Sequence, residues 1–401
     1  MTIGVKYFSY PEHSGYGLAA LAYVRALLNA GVPVWWAPLI YRQDRQLTWR
    51  LEDGLELLPL ACEAERDAAL RDVEALARAA GPKAYDTVII HTVPEHWPRL
   101  IEPGKRNIGY TVWETDALPD HWLPLLNAPD KVLVPSTTNQ SLFTDGGVAR
   151  PVGVIPHIRR HSWNAVSPAD ASALRRQLGI ADDHFVFYSI GVWDPRKAMD
   201  ELVARFAREF SAHDKVSLVV KTSTAVHRLA LERGPAGGIR ELVGALLKQA
   251  AAETGRPAPH VAVIPADGVA GRVIDTLHAT GDCFVSLAHG EGWGMGAFDA
   301  AALGKPVLMT GFGGHAEYLG AAYPGLVGYT MVPVSGWMPE ASFRPSQRWA
   351  QADPVDAGRL LRRMVARYVD FLEPATLASE RILNQYAEPV VARQLIAAID
   401  D

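Results

Sequence analysis

The segment His289-Gly290-Glu291-Gly292-Trp293-Gly294-Met295-Gly296-Ala297-Phe298-Asp299 concentrates more usable chemistry than any other part of the sequence. Four glycines let the backbone approach a ligand closely. Glu291 lies in the glycine-rich stretch. Asp299 falls one turn into the helix that the following alanines predict. The amides near Gly294, Met295 and Gly296 would open that helix and point outward, where an anion is favoured. Two carboxylates separated by seven residues can each accept hydrogen bonds from sugar hydroxyls. A glycine-rich turn with two exposed acids is the plainer alternative.

Three further groups sit in comparable places. Arg196-Lys197 follows a predicted strand, and adjacent Arg and Lys suit a diphosphate, one as a fork donor and the other as a mobile point charge. Lys221 closes the next predicted strand. Gly311-Phe312-Gly313-Gly314-His315-Ala316-Glu317 is another strand–glycine–helix junction; Glu317 there either contacts a ligand or stabilises the helix dipole. Near the start, Gly15-Tyr16-Gly17-Leu18-Ala19-Ala20 formally matches the dinucleotide fingerprint G-x-G-x-x-A. That match fails in context. The loop from Phe8 is too long, and the second strand ends Trp36-Ala37-Pro38 with no carboxylate to hold a ribose. What remains is a glycine loop at a helix N-terminus.

These residues need strands to carry them. Short apolar runs alternate with helical patterns along the whole chain. One series of strands is expected at Ile3–Phe8, Val32–Trp36, Thr87–His91, Asn107–Thr111, Lys131–Val134 and Val152–Ile155. A second is expected at Phe185–Ile190, Val216–Lys221, Val261–Ile264, Cys283–Leu287 and Val307–Thr310. Helices are expected at Gly17–Ala30, Glu65–Ala80, Ala171–Leu178, Asp200–Phe210, Gly238–Glu253 and Arg272–Thr280. Tyr323–Ala352 reads as a long irregular loop, and Pro354–Ile399 as helical. Near-continuous apolar strands between helices imply parallel sheets covered on both faces, hence two doubly wound α/β domains. The expected division is 1–157, a linker at 158–183, a second domain at 184–370, and a C-terminal segment at 371–401.

Composition narrows the function classes. The 401 residues are 49% hydrophobic and 21% charged, an ordinary globular balance, and the formal charge is −5. No basic surplus argues for nucleic acid. Cys62 and Cys283 cannot form a disulfide framework and fit a reducing cytosol. The sequence lacks a signal-peptide pattern and a spanning-length apolar run, so a cytoplasmic protein, at most peripheral at the inner face of the plasma membrane, is expected. The motifs of P-loop enzymes, zincins and elbow-type hydrolases are missing. No Asp-x-Asp pair is present to hold a metal–diphosphate, so neither a metal nor a cofactor is expected.

Taken together, these residues resemble glycosyltransferase family 4, the retaining nucleotide-sugar enzymes of GT-B fold. Glu291-Gly-Trp-Gly-Met-Gly-Ala-Phe-Asp299 is similar to the family's E-G-F-G-x-x-x-x-E segment. Gly304-Lys305-Pro306-Val307 and Gly313-Gly314-x-x-Glu317 follow as they do there. Lys197 matches the lysine that grips the donor diphosphate, and Gly15 matches the N-domain glycine loop. Tyr110-Thr111-Val112-Trp113-Glu114, Val134-Pro135-Ser136 and Ile155-Pro156-His157 resemble the branch that builds bacterial surface polysaccharides.

Three departures stand out. The second acid is Asp299 where Glu is usual. Gly191 is followed by Val192 where Arg is common, and Arg196 is the candidate to supply that charge. Trp113-Glu114 stands where the family has a histidine, which leaves Glu114 or His91 to touch the reacting sugar.

The resemblance implies two Rossmann-like domains facing a cleft, with a C-terminal helix crossing back to the first. The co-substrate would be a nucleotide-diphosphate sugar, and the acceptor a saccharide or a lipid-linked saccharide. Arg196, Lys197, Glu291 and Glu114 would be catalytic. Gly15, Lys221, Gly294, Met295, Gly296, Asp299, Gly314 and Glu317 would bind the donor, Asp299 at the ribose and Glu291 at the hexose. Tyr16, His91 and Trp113 would lie on the acceptor side. Another GT-B enzyme (an epimerase or a phosphorylase) and a non-catalytic glycosyltransferase-like partner protein are the rival readings.

Overall fold

The computed structural model describes residues 3–10, 14–41, 47–48, 75–76, 78–81, 83–160, 163, 166–222, 238–265, 271–335 and 342–401. Two compact units emerge, residues 1–161 with 382–401, and residues 162–381.

The first unit is built on six parallel strands: β1 (Val5–Ser9), β2 (Val34–Pro38), β3 (Thr87–His91), β4 (Arg106–Tyr110), β5 (Lys131–Val134) and β6 (Val152–Val154). Their spatial order is β2-β1-β3-β4-β5-β6. Every residue of β1 and β3 is buried, as expected for strands covered on both faces. Ser9 pairs with His91, and His91 with Tyr110, so chemistry-bearing residues line up at the carboxyl ends. α1 (Gly15–Asn29) starts where the Ser14 hydroxyl accepts from the Gly17 amide at 3.1 Å, and buries Ala20, Tyr23, Val24 and Leu27. α2 (Trp122–Leu126) and α3 (Thr137–Asp145) follow. α3 is capped by Ser136, which accepts from the Asn139 amide. The helix expected over Glu65–Ala80 lies outside the described residues except for its last turn, as does Cys62.

In the second unit, residues of the expected linker form α4 (Pro168–Gln177), with a Ser167–Asp170 capping box and Pro168 at its start. Its sheet contains β7 (Phe185–Ile190), β8 (Val216–Thr222), β9 (His260–Pro265), β10 (Cys283–Ser286), β11 (Val307–Thr310) and β12 (Leu326–Val327). All pair in parallel, in the order β9-β8-β7-β10-β11-β12. Covering it are α5 (Met199–Glu209), α6 (Ile239–Thr254), α7 (Gly271–Thr280), α8 (Met295–Ala302) and α9 (Ala316–Leu319). Phe187, Leu202, Phe206, Leu218, Val285 and Leu308 belong to its core.

The stretch Tyr323–Ala352 is not irregular throughout. Besides β12 it contains an antiparallel hairpin, β13 (Tyr329–Pro333) with β14 (Arg348–Ala352). The hairpin is hard to see in sequence because β13 is largely exposed and lacks apolar alternation. Its anchoring comes from β14, whose Trp349 and Ala350 are buried.

The C-terminal region is three helices, α10 (Pro354–Ala366), α11 (Val369–Gln385) and α12 (Glu388–Asp400). α10 packs on α5 in the second unit, whereas α12 packs on α1 and returns Val391, Leu395 and Ile399 to the core of the first. Lys131 Nζ donates to the Ala398 carbonyl at 3.0 Å, and Asn29 Nδ2 to Glu388 at 2.6 Å. Among the described residues no helix is long and apolar enough to cross a membrane.

Candidate functional site

In an open α/β sheet, ligands bind at the carboxyl ends of strands where the strand order reverses. In the second unit that point lies between β7 and β10, which are neighbours in the sheet but lead to opposite edges. The loop after β7 carries Arg196 and Lys197, and the loop after β10 carries Glu291. Their union at the switch point is therefore a consequence of topology.

The side chains meet closely. Lys197 Nζ donates to both Glu291 carboxylate oxygens, at 2.6 and 2.8 Å. Arg196 Nη1 lies 3.9 Å from the same carboxylate and donates to the Gly290 carbonyl at 2.8 Å. Glu291 is nearly buried, with 13% of its side chain exposed. Burial would raise its pKa, but Lys197 and Arg196 outweigh that and hold it below the ordinary value. His315 lies near enough to act on Glu291 electrostatically, yet burial pushes its own pKa down to about 4, so its imidazole is neutral at pH 7.

The β7 loop is held under strain. The Lys197 amide donates to Asp194 Oδ1 at 2.7 Å, closing a tight turn. The next residue, Ala198, takes φ 48° and ψ 41°, the left-handed region that a residue with a Cβ seldom adopts. α5 starts immediately after it, so the turn fixes where both cations emerge.

The β10 and β11 loops pack backbone against backbone. The Gly314 amide donates to the Glu291 carbonyl at 2.9 Å. A Cβ at Gly313 would overlap the Glu291 carbonyl, and one at Gly314 the Gly292 carbonyl. Here glycine is required by close approach. Gly294 caps α8 at φ 81°, and Met295 and Gly296 form its first turn, with Gly296 against the Phe284 ring. Asp299 is buried in the next turn, 8% exposed. Glu317 lies in the first turn of α9. Lys221 is the penultimate residue of β8, its carbonyl accepting from the Gly191 amide at 3.1 Å. Thus Arg196, Lys197 and Glu291 touch one another, and the hydrogen bond and close backbone packing bring Gly314 against the Glu291 loop.

Gly15, Tyr16, His91, Trp113 and Glu114 belong to the first unit. Gly15 opens α1, and among the described residues nothing stands within 4 Å of where a Cβ would be. Tyr16 Oη bonds Thr111 Oγ1 at 2.8 Å and packs beside the His91 ring, 5.7 Å between centroids. His91 is buried, its Nδ1 2.9 Å from Tyr7 Oη, and burial drives its pKa well down, so it is neutral. Tyr23 and Tyr110, joined at 2.9 Å, extend this polar core to His157, whose pKa burial lowers to about 3. Glu114 is half-buried and acts electrostatically on Tyr16. Trp113 is engaged inside the unit. Its indole N–H lies 2.7 Å from Thr115 Oγ1 and 2.8 Å from the Ala117 carbonyl, and its ring meets Trp122 edge-on.

His289 heads the glycine-rich segment, but its spacing gives it no role. It lies between β10 and Glu291 and is bound on every side by residues distant in sequence. Among the described residues no cluster of His, Cys, Asp and Glu has the arrangement of a metal site.

No protein-family model matches the chain, and no curated protein matches it by sequence. Solved structures do resemble it. HepE from Anabaena, in complex with UDP and glucose, aligns with a TM-score of 0.62 and 15% identity over 99% of each chain. Sucrose-phosphate synthase from Thermosynechococcus elongatus aligns with a TM-score of 0.64 and 17% identity, over 98% of this chain and 99% of that one. WaaG, a glycosyltransferase involved in lipopolysaccharide biosynthesis, gives 0.61 and 14%, over 98% and 99%. At these identities the likeness is one of fold, and the fold is GT-B.

Proposed function

We propose that this chain is a retaining glycosyltransferase, similar to family 4, that moves a sugar from a nucleoside-diphosphate donor to a hydroxyl of a saccharide or lipid-linked saccharide. The observation that carries the reading is the convergence of Arg196 and Lys197 on Glu291 at the switch point of the second sheet. The GT-B fold supports it, because structures sharing that fold were solved with UDP and with UDP-glucose.

In this reading Arg196, Lys197 and the amides of Gly294–Gly296 hold the diphosphate. Lys197 has three N–H donors, and two bonds to Glu291 leave one for a phosphate oxygen. Glu291, kept ionised by its neighbours, accepts from a hexose hydroxyl, and Asp299 from the ribose. Gly314 and Glu317 line the sugar side, and Lys221 and Gly15 are further donor contacts. Tyr16, His91 and Glu114 are the candidates for the acceptor side, with Trp113 supporting them from within the unit.

The barrier is cleavage of the anomeric C–O bond, with negative charge growing on the departing diphosphate. Fixed cations and amides aimed at that charge stabilise the transition state more than the ground state. The acceptor oxygen attacks from the face the diphosphate leaves, and its proton passes to a phosphate oxygen. The new glycosidic bond replaces the broken one, with nucleoside diphosphate as the second product. No step calls for a metal, and the products suit surface polysaccharide or glycoconjugate synthesis at the cytoplasmic face.

The test is a panel of nucleotide sugars and acceptors, with nucleoside diphosphate release quantified and product anomers assigned by NMR. Transfer with the donor's anomeric configuration kept is the expected result. An inverted product refutes retention. Turnover without any acceptor points to an epimerase, and no donor binding at all to a non-catalytic protein.

A further inference from the structure

Both ring nitrogens of His289 face acceptors. Nδ1 lies 2.9 Å from the Ala350 carbonyl on β14, and Nε2 lies 3.2 Å from Glu201 Oε1 on α5. A neutral imidazole has one N–H and can satisfy only one of them; the imidazolium satisfies both. The ring also stacks on Trp349, with centroids 4.7 Å apart and planes at 18°. The backbone of the same residue is clamped. Its amide donates to the Arg196 carbonyl at 2.7 Å, and its carbonyl accepts from the Ala350 amide at 2.9 Å. His289 thus ties together the loop carrying Arg196 and Lys197, the start of α5, the hairpin, and the loop leading to Glu291.

We infer that His289 is a positioning residue, held as an imidazolium by Glu201 and Ala350, which fixes Gly290 and Glu291 in register with Arg196 and Lys197. The inference rests on the donor-site reading above for its functional meaning. The charged groups that act on the ring are Glu201, 3.2 Å from Nε2, and Asp200, both acids of α5. The hairpin presents a carbonyl and an indole, and the β7 loop presents a carbonyl, while its cationic side chains point to Gly290 and Glu291. Burial lowers the imidazole pKa, but Glu201 foremost, with Ala350 and Asp200, carries it above the ordinary 6.5. A raised folded pKa means the clamp is complete below 6.5 and is lost as pH rises through the raised value.

The test compares the wild-type protein with Glu201→Gln, an isosteric change at a side chain 38% exposed, with circular dichroism to verify that the variant is folded. A glutamine can donate to Nε2 of a neutral imidazole, so it keeps the tether and removes the reason for the charge. In nucleotide-free protein, NMR of the His289 ring and of the Gly290 and Glu291 amides is followed from pH 5 to 9. The wild-type ring is expected to titrate above 6.5 with both amides tracking it; in Glu201→Gln the titration moves below 6.5. Affinity for UDP, with ADP and GDP in parallel, is expected to fall about tenfold across the wild-type titration, equal to about 1.4 kcal/mol, and the midpoint of that fall to move down in the variant.

A wild-type ring titrating at or below 6.5, amides that ignore it, or an unmoved midpoint in Glu201→Gln overturns the inference. Failure of any nucleoside diphosphate to bind at any pH, with the amides still tracking the ring, overturns the donor-site reading and leaves the positioning role standing.

Discussion

Replacing Lys197 by alanine separates its observed pairing with Glu291 from the diphosphate contact proposed for it. Lys197 neutralises a nearly buried carboxylate through bonds of 2.6 and 2.8 Å, and in its absence Arg196 would remain 3.9 Å from Glu291. Deleting one partner of a buried pair costs up to about 3–5 kcal/mol when the survivor is fully enclosed. With 13% and 18% of the two side chains exposed, and Arg196 still present, a loss of about 2 kcal/mol is expected. Turnover should fall ~10²–10³-fold, the usual consequence of removing one electrostatic stabiliser of a leaving group. The double variant Lys197→Ala with Glu291→Gln resolves the two roles, because it removes the orphaned charge. Chemical denaturation should show most of the lost stability restored, while steady-state transfer remains as slow as in the single variant or slower. If the double variant recovers turnover together with stability, Lys197 is only a counter-ion for Glu291 and the diphosphate reading is refuted.

Three other expectations follow from the same geometry. Because Glu291 has a pKa below its ordinary 4.5 in the folded protein, its pairing stabilises the fold above that value and is lost as pH falls through the lowered one; acid unfolding followed by circular dichroism should be less steep in Glu291→Gln. If Asp299 holds the ribose as proposed, Asp299→Asn should raise the donor KM more than it lowers kcat, since ribose contacts are alike in ground and transition states; abolished kcat at saturating donor would mean Asp299 acts nearer the breaking bond. Activity should survive EDTA with a small loss, and a strict dependence on manganese or magnesium would show that Arg196 and Lys197 are not sufficient at the diphosphate.

Most strands of the two parallel sheets were legible to within two residues at either end, whereas β12 lay inside a stretch read as irregular. Thr87–His91, Lys131–Val134, Phe185–Ile190 and Val307–Thr310 are where apolar runs place them, because buried parallel strands write themselves as continuous hydrophobic segments. The hairpin was not, since β13 has no apolar alternation and its partner β14 is separated from it by a long insertion. Of the site, the residue types and their strand-end positions could be read, and the pairing could not. Lys197 and Glu291 are 94 positions apart, and nothing in either motif says that they neutralise each other. His289 heads the glycine-rich motif at a strand end, where its sequence setting suggests only a structural histidine. Its significance lies in two acceptors, one on α5 and one on β14, that only the fold brings to its ring.

The return of α12 to the first unit has a consequence for how the molecule is made. Val391, Leu395 and Ile399 complete a core whose other members include Val5, Tyr23 and Leu27. On the ribosome, α1 therefore emerges hundreds of residues before the helix that covers it. The second unit, continuous from 162 to 381, has all of its own sequence first and can close as an insertion within an unfinished host. Until α12 is synthesised, the surface that α1 will share with it stays open to water and to other chains. Chains cut short before α12 (Glu388–Asp400) would expose it, and chaperones should engage such chains more than the full one.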